Sequence, residues 1–287
     1  MSLIKERNYK NSILKIVLLL LALLVLLPLW FMGEGSLLPI DELKAYLSPV
    51  LQGGKGYAFW PVLPRYPTLQ PLVELLFDTP QFFVMFWNTV KLAGYIVLGQ
   101  FLVGAPAAWA FSRFRFPGRK VLFTFYIVLM LMPFQVTMVS SYLVADRLGI
   151  LNTLWSVILP GVFSTFPVFI MSKGFDVVPE ALLEAAALDG AGPVSTFFRI
   201  GIPLGMPGII SALVLSFLEC WNMIEQPMVF LKDKKLWPLA LYLPQISQDN
   251  LGLAMVSSLL MLLPAVLISL FGQKYLELGI QSTGIKE

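Results

Sequence analysis

Two short stretches of this 287-residue chain carry side chains placed for chemistry. The first is Glu219, Asn222 and Glu225, set three residues apart in an apolar run, with Trp221 between them. On a helix that interval puts Glu219 and Asn222 on one face and Glu225 close to it. Ionisable groups at membrane depth are costly and by default mark a functional interior, so the group reads as the lining of a path across the membrane. The alternative is hydrogen bonding between helices, with Glu225 near the outer interface. The second stretch, residues 178–193, sets Glu180, Glu184, Ala185, Ala186, Asp189 and Gly190 within the punctuation of one short helix.

The remaining residue types exclude most catalysis. There is no histidine and one cysteine, Cys220. That excludes Cys/His catalysis, metal-ligand clusters and an internal disulfide, and leaves Cys220 as a small core residue. Gly53-Gly54-Lys55-Gly56 lacks the G-x-x-x-x-G-K-[ST] spacing of a phosphate loop and the hydroxyl after its lysine, so nucleotide hydrolysis must come from another chain. Glu219 and Glu225 are in the wrong register for a paired-carboxylate mechanism. No enzyme chemistry is expected. A net charge of +3 is too small to argue for nucleic acid.

The elements that must position these groups are membrane spans. Hydrophobic residues make up 57% of the chain and charged ones 13%, with a mean hydropathy of +0.79, far from the composition of a soluble domain. A bilayer-spanning helix needs about 20 apolar residues. Six runs qualify, near 13–32, 82–111, 121–145, 150–172, 200–231 and 251–273. The expected fold is an all-α integral membrane protein of about six transmembrane helices. The first run follows Lys5, Arg7 and Lys10, but it is long and no small-x-small site follows, so it reads as an uncleaved span. Arg113, Arg115, Arg119 and Lys120, with no acidic residue among them, put the loop between the second and third runs in the cytoplasm by the positive-inside rule. The N-terminus and, by an even count, the C-terminus lie there too. Lys232, Lys234 and Lys235 fall outside on this count and are its exception.

Residues 1–81 hold the first span and an external segment, and residues 82–287 a core of five spans with a loop at about 173–199. The external segment, 33–81, contains Trp60-Pro61, Leu63-Pro64 and Tyr66-Pro67 and is long for a connector. It reads as a plain connector, a lid or a docking surface. Lys91 is placed to snorkel to the interface. Gly94, Gly99 and Gly104 permit close packing, and Pro106, Pro133, Pro160 and Pro167 are expected to kink or break spans. Met130, Met132 and Met138 suit lipid or core, not a metal path.

The loop helix has clear ends. Pro179 suits a first helical position, Glu180 and Glu184 face the positive helix end, and Gly190 suits a left-handed cap. Its alanines allow a partner to approach the backbone closely, and its acids can be read by basic groups. Gly192-Pro193 then opens a helix leading into the fifth run.

Glu184-Ala185-Ala186, Gly190 and Ile200-Gly201-Ile202-Pro203 follow the pattern E-A-A, three residues, G, nine residues, I-x-L-P, with Ile202 in place of the usual Leu. This resembles the signature loop of permease subunits of bacterial binding-protein-dependent ABC importers. The resemblance extends to Asn88-Thr89, to Ala110-Phe111-Ser112-Arg113 and the residues through Arg119, to Leu148-Gly149-Ile150-Leu151-Asn152-Thr153 and to Trp221-Asn222. The tail Gln273-Lys274-Tyr275, Gly279, Thr283-Gly284-Ile285-Lys286 is similar to that of the maltose-type second permease subunit of carbohydrate importers. Ile285 stands where that group has Ala, and Ser140 or Ser141 where it has Pro.

The resemblance implies a type I ABC importer permease fold in the bacterial inner or cytoplasmic membrane. It implies a homologous second permease subunit, two copies of a cytoplasmic ABC ATPase and an extracytoplasmic substrate-binding protein. No cofactor is expected in this chain, since ATP and Mg belong to the partner ATPase. Glu180, Glu184, Ala185, Ala186, Asp189 and Gly190 would contact that ATPase, and the tail from Gly284 to Glu287 would reach toward it. A sugar or oligosaccharide would be the cargo, with Trp221 a stacking neighbour. Importers of polyamines, phosphate or amino acids share the loop, and an ion-coupled secondary transporter using the glutamates is the rival outside the class.

Overall fold

The computed structural model describes residues 2–51, 57, 60–61, 63–245 and 250–284. The Gly53–Gly56 segment and the tail residues Ile285 to Glu287 lie outside them. All regular structure among the described residues is helical. Five helices are long and apolar enough to cross a membrane, or six if one bent pair is a single span. The protein is an all-α, multi-pass membrane protein.

Contacts divide it into two compact units, Met1–Pro80 with Gln245–Leu260, and Gln81–Pro244 with Met261–Glu287. The first unit contains α1 (Ser2–Gly35) and α2 (Ile40–Leu51). Within α1 the stretch Leu14–Gly35 has a mean hydropathy of 2.8, and its most apolar part buries nothing inside the chain. A helix apolar all round must be covered by lipid or by another protein. At its end the carboxylate of Glu34 accepts a hydrogen bond from the Trp60 indole at 2.8 Å, and Phe31 meets the same ring edge-on at 5.4 Å. Trp60, in the segment expected to be external, is thereby tied to the end of the first span.

The second unit opens with α3 (Pro80–Arg113). Next come α4 (Arg119–Leu131), α5 (Phe134–Arg147), α6 (Trp155–Val162), α7 (Thr165–Asp176) and α8 (Glu180–Leu188). It continues through α9 (Pro193–Trp221) and α10 (Glu225–Phe230), and α11 (Leu251–Gly284) closes the chain. Two of these helices contain one wide π turn each, Gln100–Gly104 in α3 and Phe197–Gly201 in α9. Each wide turn ends two residues before a proline, Pro106 or Pro203. A proline lacks an N–H and crowds the carbonyl four residues back, and the widened turn accommodates both without breaking the helix.

Three runs depart from the continuous spans expected. The third is bent by 105° between α4 and α5, because Pro133 forces Met132 out of helical geometry to φ −77°, ψ 122°. The fourth becomes helical only at Trp155 and breaks again before Thr165, where Ser164 is extended. The fifth ends at Trp221, ten residues short of the expected 231, and resumes as α10.

Several of the residues that carried the resemblance fix one loop. Asn152 holds a left-handed backbone, φ 58°, and its side-chain oxygen accepts the N–H groups of Lys232 and Asp233 at 2.9 and 2.8 Å. Asn88 donates to the carbonyls of Lys235 and Trp237, and the Thr89 hydroxyl accepts the N–H of Leu239 at 2.8 Å. The lysine-bearing segment after α10 is thus pinned to α3 and to the turn before α6.

Candidate functional site

The loop helix stands on an aromatic mount. Trp109 of α3, Phe175 of α7 and Phe197 of α9 meet with ring centroids 5.2 Å (Trp109–Phe175), 5.8 Å (Trp109–Phe197) and 6.2 Å (Phe175–Phe197) apart. Ala105, Ala108, Val168, Met171, Ile209 and Ala212 complete this buried core. The rings fit because α9 offers no side chain beneath them. A Cβ on Gly201 would lie 2.9 Å from the Trp109 ring and one on Gly205 2.5 Å from that of Phe175. One turn on, Gly208 meets Gly174 of α7 backbone to backbone, and a Cβ on Gly208 would sit 2.5 Å from the Gly174 Cα. The helices on either side of α8 therefore cross backbone against backbone.

A second constraint comes from the end of α3. The Arg113 guanidinium donates to the carbonyls of Phe175 and Val178, the latter at 2.5 Å, and lies 5.8 Å from the Trp109 ring centroid. The Ser112 hydroxyl donates to Asp176 at 2.7 Å, and Lys173 pairs with the same carboxylate at 3.2 Å. The guanidinium thereby adds a side-chain donor to the Phe175 carbonyl, which also accepts the Val178 N–H at 3.1 Å, and holds the Val178 carbonyl just past the end of α7. These bonds also fix the two residues from which α8 departs.

Pro179 precedes α8 as its cap, with φ −64° and ψ 133°, one place before the first helical position expected. At the far end Gly190 has φ 78°. Its N–H bonds to the Ala187 carbonyl at 3.1 Å and that of Ala191 to Ala186 at 2.9 Å, the paired bonds of a Schellman closure. Leu183 packs onto the aromatic core. Ala186 is half-buried, while Glu180, Glu184, Ala185, Asp189 and Gly190 are exposed. So are two leucines, Leu182 at 45% and Leu188 at 90%. One edge of the helix is seated and the rest presents acids, small residues and leucine outward. Asp176 and Leu188 were given no role from sequence, and Ser112 and Arg113 entered there only as part of the resemblance and, for Arg113, to orient the loop.

Arg113→Met is expected to remove both of its bonds, at about 1.5–3 kcal/mol for a charge-assisted hydrogen bond. Amide exchange across 176–190 in the purified protein should rise several-fold, and Arg113→Lys should recover part of the protection. Exchange unchanged from wild type would show that the mount alone holds the helix.

The other group is divided by the structure. Trp221 is buried, its indole donating to the Met261 carbonyl at 2.9 Å. Phe217 stacks on the ring at 5.2 Å and Phe86 meets it at 5.9 Å. Neighbouring rings thus cover the indole that was expected to stack on a ligand. Glu219, Asn222 and Glu225 are exposed. Asn222 donates to the Leu218 carbonyl, and the Glu225 carboxylate takes both its bonds from the Gln135 amide, at 2.7 and 2.8 Å. Gln135 follows the bend at Pro133 and Glu225 opens α10, so one polar pair ties together the two interrupted spans.

The chain is thus a multi-pass helical membrane protein with interrupted spans, polar groups at the breaks and an exposed helix seated between two tightly crossed spans. The chain belongs to the family of binding-protein-dependent transport system inner membrane components, whose pattern it matches over residues 100–282. It is similar to the arabinooligosaccharides transport system permease protein AraQ of Bacillus subtilis, 26% identical over 282 residues that cover 95% of each chain. It is likewise similar to the maltose/maltodextrin transport system permease protein MalG of Salmonella typhimurium, 31% identical over 212 residues covering 70% of this chain and 71% of the relative. Among solved structures, a chain of a bacterial ABC transporter involved in the import of the acidic polysaccharide alginate shares its fold. The TM-score is 0.77 at 21% identity, over 92% of this chain and 95% of that one.

Proposed function

We propose that this chain is the permease subunit of an ATP-driven importer of a sugar or oligosaccharide in a bacterial inner membrane, and that a separate ATPase moves it through α8. The seating of α8 carries the reading. A helix that transmits displacement must not slip, and α8 is held by Leu183 below, by Arg113 and Ser112 before it and by the Gly174–Gly208 crossing of its flanking helices. Its outer face of Glu180, Glu184, Ala185, Asp189, Gly190 and Leu188 is the ATPase contact, acids at its rim and leucine at its tip. ATP and Mg sit in that partner. Closure of two ATPase copies swings α8 with α7 and α9, rocking the spans between inward-open and outward-open arrangements. A homologous second permease subunit completes the pore, and a substrate-binding protein delivers cargo outside. Oligosaccharide cargo is favoured over polyamine, phosphate or amino acid by the relatives named for arabinooligosaccharides and maltodextrin. Glu219, Asn222 and the Glu225–Gln135 pair line the path.

Vesicles holding the assembled complex test this. Uptake of labelled oligosaccharide is expected to need ATP and the binding protein, to survive a protonophore, and to slow in Glu219→Gln without loss of assembled complex. Uptake that follows the proton gradient without ATP would instead make the chain a secondary transporter.

A further inference from the structure

Beside the mount, at the turn from α3 into α4, two cavities adjoin. One, of about 500 Å³, is walled by Arg115, Arg119 and Lys120 with no acidic residue. The other, of about 240 Å³, shares Arg119 and Lys120 and adds the rings of Phe111 and Phe123. The one carboxylate lining it, Asp176, is engaged by Ser112 and Lys173. Arg119 is oriented by its bond to the Ser112 carbonyl at 3.3 Å, whereas Arg115 and Lys120 are exposed. Arg119 and Lys120 also occupy the first turn of α4, which has no acidic residue. The helix dipole disfavours cations there, and a bound anion relieves the conflict. From this basic wall α4 continues with an outward apolar face, Val121 at 61%, Phe125 at 60% and Val128 at 50% exposure.

We propose that this pair of cavities is a binding site for one anionic phospholipid of the cytoplasmic leaflet. The phosphate and its negative headgroup lie among Arg115, Arg119 and Lys120, and the acyl chains run along Val121, Phe125 and Val128. The arrangement matches an amphiphile in both charge and polarity: a free phosphate has no use for the apolar face, and a zwitterionic lipid leaves net positive charge uncompensated. Basic pockets at the cytoplasmic ends of spans take such headgroups, and each Lys or Arg near the surface adds to the attraction. The bound lipid steadies the turn that carries Ser112 and Arg113, and through them the start of α8. The inference needs only the orientation set by the basic residues, and stands whatever the cargo.

The test is native mass spectrometry of the assembled complex released from nanodiscs of equal phosphatidylglycerol and phosphatidylcholine. Wild type is expected to retain phosphatidylglycerol in preference to phosphatidylcholine. Arg115→Gln with Lys120→Gln, at two exposed positions, is expected to lower that retention about tenfold, while Lys232→Gln in the loop after α10 leaves it unchanged. Equal retention of the two lipids, or a double variant indistinguishable from wild type, would overturn the proposal. So would loss of the retained lipid on adding inorganic phosphate alone, which would mark a soluble-anion site. Folding of the double variant is checked by its elution with the full complex, and an unfolded double variant is replaced by Lys120→Gln alone, expected to show a smaller loss in the same direction.

Discussion

Gly190→Val is expected to cut ATP-driven uptake by tenfold or more while the complex still assembles and its ATPase still hydrolyses. The cause is backbone geometry. Nothing lies within 4 Å of the position a Cβ would take, so no clash opposes the side chain. What opposes it is φ 78°, a left-handed conformation that costs an L residue roughly 1–2 kcal/mol and a β-branched one more. The substitution therefore undoes the closure made by the N–H groups of Gly190 and Ala191, and the end of α8 carrying Leu188 and Asp189 loses its fixed place. Fold and mount are untouched, which is why assembly survives. Gly190→Asn, which tolerates that backbone, should retain most uptake. Full uptake in the valine variant would remove α8 from the drive train.

Gly208→Val is expected to act earlier, at folding, and to lower the yield of assembled complex at least tenfold. Its Cβ would lie 2.5 Å from the Gly174 Cα and 3.2 Å from the Gly174 nitrogen. Backbone atoms cannot swing aside as a side chain can, so α7 and α9 must separate. Overpacking costs typically about 1–3 kcal/mol, and here the separation also loosens Phe175 against Gly205 and Trp109 against Gly201. Gly94→Ala is the matched control, a helical glycine with nothing within 4 Å of its would-be Cβ. Quantifying complex by size-exclusion chromatography checks both, and normal recovery of Gly208→Val would mean that the crossing yields.

These two glycines differ in how far sequence could reveal them. Gly190 was legible because a cap is a local device: proline before, acids early, alanines within and glycine after. Gly208 was not, since its meaning depends on Gly174, 34 residues away in sequence, and nothing local signals the encounter. Arg113 shows the same limit. Its charge and position after an apolar run were enough to orient a loop, but its acceptors are backbone carbonyls, which every residue has. For Trp221, type and neighbourhood suggested a stacking platform, whereas its burial is decided by Phe86 and Met261 from other helices. Pro133 was expected to kink a span. How far the chain would turn, 105°, depends on the Gln135–Glu225 pair and on Phe230, whose ring meets Phe134 at 6.0 Å.

Leu188 has a consequence for how the protein must be made. At 90% exposure, with Leu182 at 45% and Val194 at 70% also uncovered, it gives the free chain an adhesive apolar tip. Covering such residues is favourable by about 25 cal/mol for each Å² removed from water, for any apolar surface that arrives first. The feature that would let a partner grip this helix therefore makes an orphaned copy prone to stick to its own kind. Balanced synthesis with whatever covers the tip is then a requirement of the fold itself.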